Sequence, residues 1–225
     1  MIRVQPAATT FLADLGTDDR EALQARARRR SFPVEASLMH EGQAGTEVMV
    51  IVSGRVKITY LEIDGRETVL DFRGPGELLG ELAVIDGKPR SSSVEAIEPV
   101  EVLAVGASVF KDLLAQHGGI ANALLHDVVR RFRDADRKRI EFGAAHTIGR
   151  VAARLVEMVE RFGTETTAGQ VIDLPITQEE LAGWTGASRE AVAKALRSLR
   201  ELGLITTERR RITVLDLEEL GRLCR

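Results

Sequence analysis

Cysteine is almost absent from this chain: a single thiol, Cys224, stands among 225 residues. One thiol cannot close an internal disulfide, cage an iron–sulfur cluster or build a cysteine zinc site. Charge of either sign is in small excess only, with a formal net charge of -3, so the overall balance names no partner. No apolar run approaches the length that crosses a bilayer. The start, "MIRVQPAATTFLADLG", lacks the basic region, apolar core and small-residue cleavage pattern of an export signal. A cytoplasmic location is the expectation. There is also no nucleophile elbow, no metal-ligand cluster and no His/Asp constellation, so no enzyme is expected.

What is present changes texture twice along the chain. A short helical segment around "DDREALQARARRRSF" places the four arginines of residues 26–30 on a solvated helix face. From about Phe32 to Ala104 the chain is rich in Val, Ile and Thr and punctuated by glycine, as in "VMVIV", "RVKITYLEI" and "ETVLDF". Those runs read as short strands, and the Asp-Gly pairs at Asp64-Gly65 and Asp86-Gly87 carry a hairpin signal. A small antiparallel barrel or roll follows.

From Ser108 to about Glu141 the sequence is free of proline and helical in pattern, with Leu124, Val128, Phe132 and Ala135 in a narrow seam flanked by Leu125 and Val129. Such a seam suits pairing with a second copy of the helix; the alternative is packing on the chain's own roll. Beyond His146 comes another amphipathic helix, a polar loop "TETTAGQ", and then the order of a winged helix-turn-helix: two helices, a glycine-bearing turn and a short hairpin. Thr177 and Glu180 form a capping box, Gly186 falls in the turn, and Ser188 caps the second helix. At about 100° per residue Arg189, Glu190, Lys194 and Arg197 share one face, opposite Val192, Ala195, Leu196 and Leu199. Arg and Lys can donate to guanine O6 and N7, and Glu can accept from cytosine N4. A helix that only gripped phosphates would have no use for the carboxylate. The basic tip at Arg209, Arg210 and Arg211 is placed where a wing touches phosphates. Trp184 is expected to pack against the neighbouring helix.

The stretch "GELLGELAVIDGKPRSSS" raises a separate possibility. Gly80-Glu81 opens a short helical run, Arg90 can make a charge-assisted contact to an anion, and Ser91 and Ser92 add donors, a phosphate cradle. Glu81 would repel a phosphate, yet it makes sense as the acceptor for a sugar hydroxyl nearby.

"GELAVIDGKPRSSSVEA" resembles the phosphate-binding cassette of cyclic-nucleotide-binding domains, and "GASREAVAKALRSL" resembles the recognition helix of the cyclic AMP receptor protein and FNR family of transcription regulators. With "TQEELAGWTGASRE" and "IGRVAARL", the resemblance covers nearly the whole chain. It implies an α+β architecture: an N-terminal cyclic-nucleotide-binding jelly-roll-like β-roll over residues 1–115, a long dimerisation helix over 116–145 and a C-terminal winged helix-turn-helix over 146–225. By position in the motif, Glu81 takes the ribose 2′-hydroxyl, and Arg90 and Ser91 take the cyclic phosphate with the Gly80 backbone; Leu82 and Ser92 complete the cassette. Arg189, Glu190 and Lys194 read bases, with Thr177, Ser188, Arg197, Arg209 and Arg210 completing the expected DNA contact. Where the family's adenine-contacting Thr-Ser pair stands, this chain has Ala135 and Asp136. Cyclic AMP is the expected effector. Cyclic GMP is the alternative because an aspartate can accept from the guanine N1-H and 2-amino group; a ligand-independent regulator with a vestigial pocket is the other. No resident cofactor and no metal are expected, an iron–sulfur sensor lacks its cysteines, and His40, His117, His126 and His146 offer no clear haem ligand. The expected partners are double-stranded DNA, the cyclic nucleotide, a second copy of the chain and RNA polymerase, with no membrane.

Overall fold

The computed structural model describes residues 10–224 except 64, 66, 145, 175, 209 and 210, and the backbone alone of 141–144. The described residues fall into two compact units that divide between Arg133 and Asp134. The elements of the first are α1 (Thr17–Ala25), β1 (Arg28–Phe32), β2 (Ser37–Met39), β3 (Glu47–Ser53), β4 (Val56–Leu61), β5 (Glu67–Arg73), β6 (Leu78–Leu79), α2 (Glu81–Asp86), β7 (Ser93–Ala96), β8 (Val100–Gly106) and α3 (Ala107–Gln116). Helix α4 (Gly118–Ala144) spans the division.

The strands form two antiparallel four-stranded sheets, in the orders β1-β8-β3-β6 and β2-β7-β4-β5. The run "VMVIV" is apolar throughout because β3 is covered on both faces. Met49 and Ile51 join Val56, Val94 and Val102 in one core, while Val48 and Val50 join Phe110, Leu113 and Ile120 in the other. Gly54 stands where the chain leaves β3 for β4, strands of different sheets. Its φ is 82°, and a Cβ there would run into the carbonyl of Pro99, so this position requires glycine.

Three expectations are corrected here. Arg28, Arg29 and Arg30 lie on the edge strand β1, with Arg29 and Arg30 paired to Glu101 and Glu47, rather than on a helix. Charged residues on an exposed edge discourage further strand addition. Asp86-Gly87 ends α2, with Gly87 in the left-handed region at φ 71°, and makes no hairpin. On α4, Leu124 is buried in the first unit's core with Val128 packed against it, whereas Leu125, Val129 and Phe132 are exposed. The predicted seam is therefore divided: its first two members face the chain's own roll, and the flanking pair joins Phe132 on the outer face. Asp64, of the other expected turn, lies outside the described residues; β4 and β5 on either side of it do pair antiparallel.

The second unit contains α5 (Thr147–Phe162), β9 (Thr164–Thr166), β10 (Gly169–Ile172), α6 (Gln178–Thr185), α7 (Arg189–Glu201), β11 (Ile205–Glu208), β12 (Arg211–Val214) and α8 (Leu217–Arg222). Its four strands make one sheet, in the order β11-β12-β10-β9. The polar loop expected at "TETTAGQ" is thus a hairpin. Its first strand is exposed at every position, so it has no apolar alternation to show in the sequence. No described helix is long and apolar enough to cross a membrane.

Phe110 is fully buried between α3 and the sheet face, so Phe110→Ala is expected to cost about 3–5 kcal/mol in urea unfolding. Val34→Ala, at a site 48% exposed, should change stability by no more than about 0.5 kcal/mol.

Candidate ligand and DNA-binding sites

Strand β6 delivers the chain to Gly80, which adopts φ 78° as the residue capping α2. A Cβ here would collide with Nη1 of Arg90, so the glycine lets the guanidinium lie against the backbone. Arg90 is 7% exposed. Its Nη1 donates to the Gly80 carbonyl and its Nη2 to the Glu47 carbonyl at 2.6 Å. Its backbone is held on both sides, by Arg90 N to Gln43 O at 2.7 Å and Gly42 N to Arg90 O at 2.9 Å. Burial pulls the Arg90 pKa below its ordinary value, opposed by the nearby Glu47 and Glu81 carboxylates. Among the described residues no carboxylate forms an ion pair with Arg90. A buried cation held only by neutral carbonyls is suited to an anion.

Around it lies a small cleft of about 60 Å³. The structure brings Gly80, Glu81, Leu82, Arg90, Ser91 and Ser92 together in its lining. Ala135 and Asp136 are carried by the second unit; Ala135 is exposed, and Asp136 is ion-paired with Arg139 at 3.3 Å.

Glu81 is 2% exposed and meets Arg131 of α4 at 2.7 Å. Arg131 also lies 3.0 Å from Asp127, which receives a hydrogen bond from Arg130 at 3.1 Å, and Arg130 reaches Asp14 at 2.6 Å. This chain of alternating charges ties the cassette to α4 and to the segment before α1. Sequence reasoning missed Arg131 and Asp127. Their i, i+4 spacing was the available signal, but it is indistinguishable from an ordinary surface pair.

In the second unit the capping box is complete: Thr177 Oγ1 accepts from Glu180 N at 3.1 Å, and the Glu180 carboxylate accepts from Thr177 N at 2.8 Å. Gly186 ends α6 at φ 59°, and Ser188 accepts from Ala191 N at 3.2 Å to start α7. Val192, Ala195, Leu196 and Leu199 are buried, while Arg189, Glu190, Lys194 and Arg197 are exposed. The Glu190 carboxyl is held below its ordinary pKa, first by its own backbone N–H, then by the Ser188 hydroxyl, with a smaller contribution from Arg189. It is therefore a charged acceptor at neutral pH. Arg211 begins β12, within reach of Asp173 at 3.8 Å; Arg209 and Arg210 lie outside the described residues. Trp184 is buried, with the Lys138 ammonium 5.3 Å and the Arg154 guanidinium 5.7 Å from its ring. Lys138 and Arg154 both also pair with Glu157.

The cyclic nucleotide-binding domain model matches residues 29–117, and the Crp-like helix-turn-helix domain model matches residues 149–223. The chain is 34% identical over 194 residues to a CRP-like cAMP-activated global transcriptional regulator of Mycobacterium tuberculosis, covering 86% of this chain and 87% of that one. The chain belongs to the CRP/FNR family of transcription regulators. Within that family it is also 30% identical over 178 residues to the cyclic AMP receptor protein of Thermus thermophilus, covering 79% of each. The fold is that of the c-di-GMP responsive regulator CLP of Xanthomonas campestris, with a TM-score of 0.78 at 22% identity, over 89% of this chain and 100% of that one. The family is one of DNA-binding regulators rather than enzymes, and this chain carries both its ligand and its DNA domain.

Removing one partner of the Glu81–Arg131 pair leaves a buried charge uncompensated. Arg131→Met is expected to destabilise the protein by about 2–4 kcal/mol, and Glu81→Gln in the same chain to restore part of the loss. Urea unfolding of the wild type, both single variants and the double variant closes the cycle.

Proposed function

We propose that this family member is a dimeric regulator whose grip on a palindromic DNA site is strengthened by a purine 3′,5′-cyclic nucleotide. The observation that carries the ligand half is the seat of Arg90, a buried guanidinium bound to two backbone carbonyls and lining a cleft with Glu81 and Ser91. The cyclic phosphate takes Arg90 and Ser91, and the ribose 2′-hydroxyl donates to Glu81 beside Arg131. These contacts are common to cyclic AMP and cyclic GMP. The relatives from Mycobacterium tuberculosis and Thermus thermophilus carry cyclic AMP in their names, which supports including it first among the ligands.

For the dimer the support is the outer face of α4. At about 100° per residue, Leu125, Val129, Phe132 and Ile140 fall within roughly 80° of one another. All four are exposed, Phe132 at 66%. An apolar stripe of that width buries itself against the same stripe of a second copy. Two α7 helices about 34 Å apart then address successive turns of DNA. Arg189 and Lys194 donate to guanine, Glu190 accepts from cytosine, and Arg211 lies near the backbone.

Isothermal titration of wild type and Arg90→Ala with cyclic AMP and cyclic GMP tests the ligand half. Wild type is expected to bind, and Arg90→Ala to lose at least about tenfold in affinity for both, the loss of one charge-assisted contact; equal affinity in the variant contradicts the assignment. For the DNA half, Glu190→Ala should relax discrimination at one base pair per half-site by about 1–3 kcal/mol, measured by binding to a set of single-substituted sites.

A further inference from the structure

The DNA contacts above use Arg189, Glu190, Lys194, Arg197 and Arg211 and leave one cation of α7 without a role. Arg200 lies in the last turn of α7 and is exposed. Its Nη1 donates to Thr207 Oγ1 at 3.1 Å, across to β11, the first strand of the wing. Among the described residues that neutral hydroxyl is its only side-chain partner, and no carboxylate pairs with it. Its chain neighbour Glu201 is turned about 100° round the helix. Glu208, next to Thr207, lies instead by Arg211 at 4.0 Å. A guanidinium carries several N–H donors and no acceptor, and this one gives a single bond to the wing. Arg200 is thus an exposed cation, steered by a hydroxyl and not neutralised by the protein.

Resting on the DNA-binding reading above, we infer that Arg200 grips a backbone phosphate at the rim of the major groove and adds affinity there without reading sequence. With Arg189 at zero, Arg200 falls near 20° on the helix, inside the arc that the exposed polar residues of α7 share. It therefore faces the same DNA. Along the axis it stands eleven residues beyond Arg189, about 16 Å at the rise of an α-helix. Recognition helices put their N-terminal residues on base edges, and the major groove is about 12 Å wide. With Arg189 and Glu190 at base edges, Arg200 is past the floor of the groove and level with phosphates. A planar fork matches two phosphate oxygens, and Thr207 holds that fork where helix and wing meet. Such a contact fixes register and carries no base information.

The test is the salt dependence of DNA binding by wild type, Arg200→Gln and Arg200→Lys. The probe is a labelled palindromic site selected from random sequence with the wild type, with cyclic AMP and cyclic GMP both present at one fixed concentration. Glutamine keeps a donor for Thr207 and removes the charge; lysine restores the charge without the fork. In Arg200→Gln the slope of log K against log salt should become shallower by about 0.9 for each chain bound, about 1.8 for a dimer. Affinity at about 0.1 M salt should fall about three- to tenfold per chain, while discrimination among single-substituted sites stays as in the wild type. Arg200→Lys should restore the slope. Weaker binding by Arg200→Gln with an unchanged slope, together with a lowered urea midpoint, makes Arg200 a clip between helix and wing and overturns the inference. Relaxed discrimination at one base pair makes it a base reader and overturns it as well, as does a slope that lysine fails to restore. No DNA binding by the wild type overturns the DNA-binding reading itself. Binding that Glu190→Ala relaxes as expected, with Arg200→Gln leaving the slope untouched, sustains that reading and overturns the role of Arg200 alone.

Discussion

A guanidinium folded onto two backbone carbonyls organises the ligand half of this molecule. Arg90 can lie against Gly80 only because that residue has no Cβ and takes a left-handed turn. Its second carbonyl partner, at Glu47, opens β3, the strand buried on both faces. Its backbone bonds fix the turn at residues 42 and 43 to the cassette. The proposed anion-binding group is therefore held by the roll as a whole. Because it is buried without an ion-pair partner among the described residues, binding an anion relieves an electrostatic cost that the fold sustains.

The second constraint is ionic. Glu81, Arg131, Asp127, Arg130 and Asp14 alternate in sign from the cassette through α4 to the chain before α1. A hydroxyl that bonds Glu81 acts on a group already shared with α4, and α4 carries the exposed apolar face of Leu125, Val129 and Phe132. Ligand chemistry and the proposed pairing surface thus meet on one helix. A ligand favours one conformation only through contacts that differ between conformations.

Much of this was legible in the sequence because it rests on local rules. The capping box at Thr177 and Glu180, the left-handed Gly186 and the two-sided α7 follow from spacing and backbone chemistry alone. Other features depend on what lies across the fold. Leu124 and Leu125 look alike in a helical pattern; only the roll beside α4 decides that the first is covered and the second is not. The arginines of residues 28–30 continue a helical pattern in sequence, but pairing with β8 overrides it. Arg73 gives no signal in the sequence, since a charged residue at a strand end is ordinarily a solvated one, and here it is buried beside Asp71 and Glu77. The role of Arg131 was hidden for the same reason: its partner Glu81 is fifty residues away in sequence.

The central claim is that ligand and DNA binding are linked through one protein. Fluorescence anisotropy of a labelled palindromic site, selected from random sequence with this protein, measures it directly when titrated with and without saturating cyclic nucleotide. Linkage predicts DNA affinity raised by about 5–150-fold with nucleotide present, and nucleotide affinity raised by the same factor when DNA saturates. DNA affinity that is unchanged by cyclic AMP and by cyclic GMP contradicts the account.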